Sequence, residues 1–249
     1  MKLFEEIIHE LRSWMEGMRT SPHGFVESAA DHRPWPAGEK GNIVLQCDTA
    51  VELGNPRDES ASFLVWTGDA DLVRDGMITR IGPDAAGSDG ARLPLGKAVI
   101  LHVEGFTEEN CYERHREIEL ARYDVNLKGY MMRAVSQYTR EWSRISRQAI
   151  ADGFSLDVLA SALMDRHRRL DYVRGAEILI VTSSPDDVRS LQHVGERAVR
   201  LIGAMNKMAR ELSFDCGTCD FTDVCGEVSE LRSMRDTLRG KEKALYERN

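Results

Sequence analysis

Three cysteines near one end of the sequence are spaced closely enough to do chemistry together. They are Cys216, Cys219 and Cys225, and they make up three of the five cysteines among 249 residues. Thiolate sulfurs at such short separations can share one soft metal ion or an iron–sulfur cluster. The spacing therefore predicts a metal centre. A [4Fe-4S] cluster is favoured, zinc is the alternative, and a loop without metal stays open.

This loop supplies an incomplete ligand set. Four thiolates are the usual complement of a [4Fe-4S] cluster or a structural zinc ion, and the loop contains three. Gly217 and Gly226 suit a loop whose backbone approaches sulfur atoms closely, because glycine has no Cβ. The fourth ligand is left open between a group from another molecule and these residues: Cys47, Cys111, Asp215 and Ser229.

A second set of residues combines one aromatic ring with several guanidinium groups. Its members are Arg140, Trp142, Arg144 and Arg147. An indole plane can stack on an adenine ring, and arginines form charge-assisted hydrogen bonds with phosphates. A solvated helix face with one buried tryptophan would show the same residues. Spacing alone leaves both interpretations open.

Three weaker patterns favour structural roles. Cys111 and His115 stand four residues apart on a predicted helix and could share a metal, but a single pair is more typical of structural residues. The loop 82–90 lacks the glycine spacing and the lysine of phosphate-binding loops, so it is predicted to be a connecting turn. Acidic residues between Glu108 and Glu119 alternate with arginines at helical spacing, which predicts a salt-bridged exposed face.

Hydrophobic periodicity predicts the elements that must position these residues. Residues 1–41 are predicted to form an N-terminal helix followed by an extended arm. Residues 42–213 are predicted to form an α+β domain, a mixed β-sheet packed with long helices. Residues 214–249 hold the cysteine loop and a C-terminal helix. The predicted strands lie near residues 43–53, 61–66, 78–81, 97–103 and 177–182.

Caps and turn residues predict where the long helices begin and end. A helical region is predicted from Thr107 to about Ile150, with a break near residues 126–129. Further helices are predicted over residues 155–170 and 185–212. The cysteine loop then lies between the helix over residues 185–212 and the C-terminal helix. The Asp75-Gly76 pair predicts a β-hairpin over residues 72–81.

Composition and charge bound the class of protein. The sequence is 42% hydrophobic and 30% charged, with a net charge of −8. The negative balance argues against nucleic acid as the main partner, because Lys and Arg are not in excess over the acids. The sequence lacks both an apolar run of roughly 18 residues and the basic flank of a signal peptide, which predicts a cytoplasmic protein without a membrane partner. An odd number of cysteines, three of them clustered, favours reduced thiols or metal over disulfides.

Seven short motifs occur in a characteristic order between about residues 45 and 225. They are Val51-Glu-Leu-Gly54, the run from Val73 to Asp84, Arg92-Leu-Pro-Leu-Gly96, the run from Arg144 to Phe154, Ile178-Leu-Ile-Val-Thr182, Asp187-Val188 and Cys216-Gly-Thr-Cys219. Together they resemble the middle domain of acetyl-CoA synthase. That enzyme is the β subunit of the CO dehydrogenase/acetyl-CoA synthase complex, also called acetyl-CoA decarbonylase/synthase.

The resemblance implies a protein of anaerobic one-carbon (C1) metabolism that works with other subunits or as a homo-oligomer. The family joins CO, a methyl group from a corrinoid protein and CoA at a nickel centre bridged to a [4Fe-4S] cluster. Its middle domain contributes a tryptophan and nearby arginines to CoA binding. The similar positions here are Trp142 with Arg144 and Arg147. A C1 or acyl-CoA transferase activity would then belong to a complex, and whether this chain is itself an enzyme stays open.

The sequence departs from the family pattern around the metal ligands. In the family two more cysteines follow the first pair at wider gaps, and a later Cys-Gly-Cys carries the distal nickel. Here Cys225 follows Cys219 after only five residues, and no Cys-Gly-Cys is present. Two functions are therefore considered. One is an iron–sulfur subunit that binds a CoA thioester or another C1/acyl partner. The other is a non-catalytic scaffold, electron-transfer or interaction subunit stabilised by metal.

Overall fold

The computed structural model describes most of the chain. It covers residues 1–39, 44, 50–55, 60–88, 92–136, 140–210, 216–217 and 219–246, with the backbone alone at 133–136, 140, 210 and 238–246. Nine strands and seven helices lie in these ranges, which confirms the predicted α+β class. The strands are β1 (Phe25–Ala29), β2 (Ala50–Leu53), β3 (Ser60–Thr67), β4 (Met77–Ile81), β5 (Arg92–Leu93), β6 (Leu95–Val103), β7 (Tyr130–Ser136), β8 (Arg140–Ser146) and β9 (Val173–Val181).

The seven helices begin and end at residues that the sequence partly predicts. Ser155 accepts a hydrogen bond from the backbone N–H of Val158 and so caps its helix, as the sequence predicts. None of the helices within the described ranges is both long and apolar enough to cross a lipid bilayer. The helices are α1 (Glu5–Met18), α2 (Cys111–Ala121), α3 (Arg147–Ala151), α4 (Leu156–His167), α5 (Pro185–Arg210), α6 (Thr222–Glu227) and α7 (Ser229–Tyr246).

The strands form two sheets where the sequence predicts one. The larger sheet has the order β1-β4-β9-β6-β3, and the smaller has the order β5-β2-β8-β7. Both sheets are mixed, since β4 and β9 run parallel while β9 and β6 run antiparallel, and β2 pairs parallel with β5 but antiparallel with β8. The central strand β9 is buried at all its residues except Arg174, as its unbroken apolar run predicts.

Helix α5 packs closely on the edge strand of the larger sheet. At Gly195 an added Cβ would stand only 2.5 Å from the ring of Phe63 in β3, so glycine permits this approach. The N-terminal helix α1 is anchored in turn to the central strand. Arg12 of α1 and Arg74 both form ion pairs with Glu177 of β9, whose side chain is only 1% exposed. The predicted N-terminal helix is therefore an integral part of the core.

The helix predicted from Thr107 to about Ile150 is wrong over much of its length. Within this span the chain is helical over Cys111–Ala121, in a short 3-10 turn and from Arg147, where α3 begins, and between the last two, β7 and β8 pair as antiparallel neighbours. The strand pattern was obscured because the buried positions of β8 are largely polar. Glu141 and Ser143 are buried beside Ile145, so the strand lacks the alternation of apolar and polar residues that identifies a half-buried strand.

The predicted hairpin over residues 72–81 is also wrong. A 3-10 turn spans Ala70–Leu72, and Gly76 (φ +76°) leads from it into β4. Strand β4 pairs with β1 on one side and β9 on the other. Strand β1 is the edge strand, and it lies in the segment that the sequence predicts as an extended arm. The first part of the predicted strand 43–53 lies largely outside the described residues, and β2 is its last part.

A buried ion pair joins the two sheets. Lys97 of β6 contacts the Glu141 carboxylate of β8, with side chains that are 4% and 2% exposed. Ser60 accepts a hydrogen bond at 2.8 Å from the Glu141 backbone N–H, and Ser62 donates one at 3.2 Å to its carboxylate. Burial alone would raise the pKa of Glu141, but Lys97 and Arg122 lower it below its usual value. Glu141 is therefore a carboxylate whose partners hold β8 against the larger sheet.

We expect Lys97→Met to destabilise the fold by about 3 kcal/mol, because it leaves a buried carboxylate without its ammonium partner. Urea unfolding measures this loss. Replacing both partners, as Lys97→Met with Glu141→Leu, should recover most of it, since a well-packed apolar pair avoids the desolvation cost. The matched control is Lys2→Met, which removes an exposed pair with Glu5. Equal unfolding midpoints for Lys97→Met and the control would contradict a stabilising role for the buried Lys97–Glu141 pair.

Candidate functional site

The structure brings the three clustered cysteines to one small pocket. Cys216 and Cys219 are half-buried, whereas Cys225, in α6, is only 8% exposed. None of them forms a disulfide. The pocket lies between α5, the cysteine loop and α7, and its other lining residues are Ala204, Lys207, Met208, Phe221, Thr222 and Arg235.

Two contacts shape the cysteine loop. At Gly203 of α5 an added Cβ would stand 2.7 Å from the ring of Phe221, so the absent side chain lets this ring seat on the helix. The Thr222 hydroxyl lies 2.9 Å from the carbonyl oxygen of Cys216 and 2.8 Å from that of Cys219, and it donates to these acceptors. One side chain thereby fixes the backbone at both half-buried cysteines.

The charge around the thiols is mixed. Burial raises the pKa of Cys225 above its usual value, and the neighbouring thiols of Cys219 and Cys216 add to the rise while Arg235 opposes it. Lys207 and Arg235 both line the pocket. Cationic side chains at this position would stabilise thiolates or a negatively charged metal–thiolate unit. A metal ion would be needed to displace the proton of Cys225 near neutral pH.

The chemistry of the three side chains suits a soft metal ion, because thiolates are soft ligands and all three cysteines line the same pocket. The pocket is partly open to solvent and has a volume of about 30 Å³, which corresponds to about two water-sized spheres. Within the ranges that the structure describes, no three or more His, Cys, Asp or Glu side chains stand in an arrangement that could hold a metal ion. Binding of either one ion or a cluster of four irons and four sulfides would therefore require the loop to move the three thiols into a ligand geometry.

The possible fourth ligands are distributed over the molecule. Cys111 is buried in α2 and directs its sulfur to the carbonyl of Glu108, and it does not line the pocket. Ser229 begins α7 and is exposed, with its hydroxyl bonded to Glu230. Cys47 and Asp215 lie outside the described residues.

The pair Cys111 and His115 has a structural environment. Burial lowers the pKa of His115 to about 4, so the ring is neutral. Its Nδ1 accepts a hydrogen bond from the indole N–H of Trp66 at 3.3 Å, and its ring stacks on Phe4. The imidazole is therefore part of an aromatic cluster beneath α1.

Trp142 lies on strand β8, where the sequence predicts a helix. The strand geometry brings the residues of this region together. Trp142 and Arg144 stand two apart on β8, so they project to the same side of the smaller sheet. The guanidinium carbon of Arg144 lies 4.4 Å from the centre of the Trp142 ring. Residues two apart on a helix would not face each other. The wrong helix assignment would therefore have separated the two residues that the structure stacks.

Neighbouring strands extend this face into a row of charges. Arg144 donates to Glu52 of β2 at 2.9 Å, and Arg92 of β5 pairs with the same carboxylate at 3.0 Å. Two guanidinium groups thus share one carboxylate beside the Trp142 ring. We call Trp142, Arg144, Glu52 and Arg92 the Trp142 strip. Arg147 is exposed at the first residue of α3, whereas the side chain of Arg140 lies outside the described residues.

Sequence reasoning missed Glu52 and Arg92 as members of this strip. Both stand in motifs that carry the family resemblance, Val51-Glu-Leu-Gly54 and Arg92-Leu-Pro-Leu-Gly96. The motifs marked these positions, but no residue spacing could show that they lie beside Trp142. Their proximity follows from the pairing of Glu52 with Arg144 across one strand boundary and with Arg92 across the other.

A comparison with protein families identifies the relationship. The family model for the CO dehydrogenase/acetyl-CoA synthase complex beta subunit matches residues 36–186, which is more than half of the 249-residue chain. The chain belongs to this beta-subunit family. The predicted resemblance to its middle domain is confirmed. A search among curated proteins found no match to the chain.

The beta-subunit match separates the two candidate sites. The Trp142 strip lies entirely inside residues 36–186, whereas Cys216, Cys219 and Cys225 lie beyond them. The ligand-binding prediction for Trp142 is thus made within a beta-subunit domain. The metal prediction rests on the pocket chemistry and on the Cys216-Gly-Thr-Cys219 motif.

We expect the three cysteines of metal-free protein to differ in reactivity. Near neutral pH, iodoacetamide should modify Cys216 and Cys219 faster than Cys225, because a raised pKa leaves less of the reactive thiolate. The Cys225 rate should rise as the pH approaches its pKa. Cys111 is the internal control, since burial raises its pKa to about 11. Mass spectrometry of timed samples measures each site, and equal rates for Cys225 and Cys216 would refute the prediction.

Proposed function

We propose that this chain is an iron–sulfur subunit of a complex of the CO dehydrogenase/acetyl-CoA synthase type, and that it binds CoA or an acyl-CoA. The single observation that carries the CoA proposal is the Arg144–Trp142 stack within the beta-subunit domain. A preformed aromatic and guanidinium surface can accept an adenine ring by stacking and phosphates by charge-assisted hydrogen bonds. Other subunits of the complex would supply the remaining chemistry.

The residues of the strip would take distinct roles. Trp142 offers an aromatic plane, and Arg144 is held against it by Glu52. Arg92 shares that carboxylate and retains donors for a phosphate. Arg147 is exposed at the end of the same strand and is a further candidate for a phosphate contact. Arg140 stays a prediction from the sequence pattern, since its side chain lies outside the described residues.

The cluster proposal rests on the three thiols of the pocket. Cys216, Cys219 and Cys225 would supply three sulfur ligands, and Lys207 and Arg235 would stabilise the negative charge of the bound group. A bound [4Fe-4S] cluster would supply electron transfer or an open iron position. The chain's own contribution is to hold two thiols in the cysteine loop and one on α6, against α5, and to limit their contact with water.

A second candidate function is a non-catalytic scaffold or interaction subunit stabilised by zinc. Its support is that the three thiols line one small pocket between α5 and α7. A structural zinc ion would tie the cysteine loop to α5 and α7 and would contribute to folding directly. Metal identity therefore separates the two functions.

We expect anaerobically purified protein to contain about four irons per chain and to show the broad visible absorption of a [4Fe-4S] cluster. Serine replacement of Cys216, Cys219 or Cys225 should each lower the iron content, because each removes a thiolate ligand. Cys111→Ala is the matched control, since this cysteine does not line the pocket. About one zinc per chain without iron would reject the cluster and support the scaffold.

We expect Trp142→Ala to weaken CoA binding at least about tenfold, because it removes the stacking plane and the partner of Arg144. Trp142→Phe should retain part of the affinity. Isothermal titration calorimetry measures both, with Arg189→Gln on the exposed start of α5 as the control for lost charge. Unchanged affinity in Trp142→Ala would exclude the Trp142 strip as the CoA site.

A further inference from the structure

A separate cleft lies between the extended arm after β1 and α4. Its volume is about 390 Å³, within the roughly 300–1,000 Å³ of small-molecule sites. Arm residues 31–37 form one wall, residues 124–127 a second and α4 the third. The lining shares no residue with the Trp142 strip or the cysteine pocket, and residues 31–35 precede the part matched by the beta-subunit model. Neither candidate site already described uses this cleft.

The arm is fastened in place, so the cleft is preformed. The backbone N–H of Asp31 donates to the Ser161 hydroxyl of α4 at 3.0 Å. The indole N–H of Trp35 donates to the Lys128 carbonyl at 3.0 Å, and the ring packs edge-to-face on Phe154 with centroids 5.2 Å apart. A ligand entering here would not bear the entropic cost of ordering the arm.

Two of the three carboxylates lining the cleft are paired with arginines. These pairs are Asp31 with Arg33 and Asp124 with Arg166. Asp165 differs because its neighbour is a histidine. His32 Nδ1 lies 2.8 Å from Asp165, and Nε2 lies 3.3 Å from an Arg168 nitrogen that can only donate. Asp165 is therefore the one carboxylate lining the cleft that has no arginine partner among the described residues.

One guanidinium group that lines the cleft has no carboxylate partner among the described residues. Arg169 is exposed in the turn that follows α4, and within the described ranges its side chain has no ion pair or hydrogen bond. Asp165 lies in the last turn of α4, and both residues line the cleft without forming a salt bridge with each other. The cleft thus presents one carboxylate without an arginine partner and one guanidinium group without a carboxylate partner.

The remaining surface between the arm and α4 is apolar. Leu127, Val158 and Ala162 line the cleft together with Trp35. A ligand that matches all of these features carries an ammonium group, a carboxylate and an apolar side chain. A phosphate-rich ligand fits less well, because three carboxylates line the same space.

We propose that this cleft binds a free α-amino acid with an apolar side chain. Arg169 receives the α-carboxylate through a forked pair of hydrogen bonds, Asp165 receives the α-ammonium, and the apolar wall receives the side chain. The site is independent of CoA or metal binding, so the experiments on those functions do not decide it.

The test titrates the full-length protein with L-phenylalanine and L-leucine by calorimetry. Two matched probes each remove one charge: phenethylamine lacks the carboxylate, and 3-phenylpropionate lacks the ammonium. We expect saturable binding of at least one amino acid in the millimolar range or tighter. Both single-charge probes should bind at least about tenfold more weakly than L-phenylalanine or show no binding.

Variants assign each charge to a residue. Arg169→Gln should remove the preference for L-phenylalanine over phenethylamine, and Asp165→Asn should remove the preference over 3-phenylpropionate. A merely structural role would weaken all probes equally, and thermal melting checks that each variant folds. Arg189→Gln should leave every affinity unchanged. The proposal is overturned if neither amino acid binds saturably, if a single-charge probe binds as tightly as L-phenylalanine, or if both variants keep the wild-type preferences.

Discussion

The buried contact between Lys97 and Glu141 is the constraint on which the arrangement of the two sheets depends. It joins β6, in the larger sheet, to β8, in the smaller one, with both side chains almost fully buried. Burying such a pair costs desolvation energy, and the attraction between the charges offsets this cost only when the geometry is good and the remaining hydrogen bonds are made. Ser60 and Ser62 complete them from β3. Because Glu141 must face this cluster, its neighbour Trp142 must face outward, so the buried charge determines which side of β8 can meet a ligand.

Helix α5 connects this body to the cysteine loop. Near its middle, Gly195 fits against Phe63 of the larger sheet, and eight residues later Gly203 receives the ring of Phe221 beside the thiols. The same helix therefore packs on the core and supports the pocket. A change of metal occupancy in the loop would act directly on a helix that contacts the edge of the sheet, which gives the proposed metal centre a structural role in either candidate function.

The smaller sheet shows why sequence periodicity succeeded in one region and failed in another. In β9 an unbroken apolar run from Ile178 to Val181 is buried on both faces, and burial of that kind is legible from composition. In β8 the inward positions include Glu141 and Ser143, so the strand carried no apolar alternation. A polar cluster that is satisfied by partners from distant strands has no local signature. The strand prediction therefore failed at the residues that form the buried polar network.

The amino-acid order was sufficient for the α+β class, most long helices, the core strands and the family membership, because these depend on local periodicity and on ordered motifs. It also identified the three cysteines as one set, since their spacing is short. Other groupings required the folded chain. Arg92 and Glu52 join Trp142 only through strand pairing, and Lys207 reaches the thiols only through the packing of α5. The physical reason is that these groups lie on different elements of the fold and meet through strand pairing and helix packing, which no local pattern encodes.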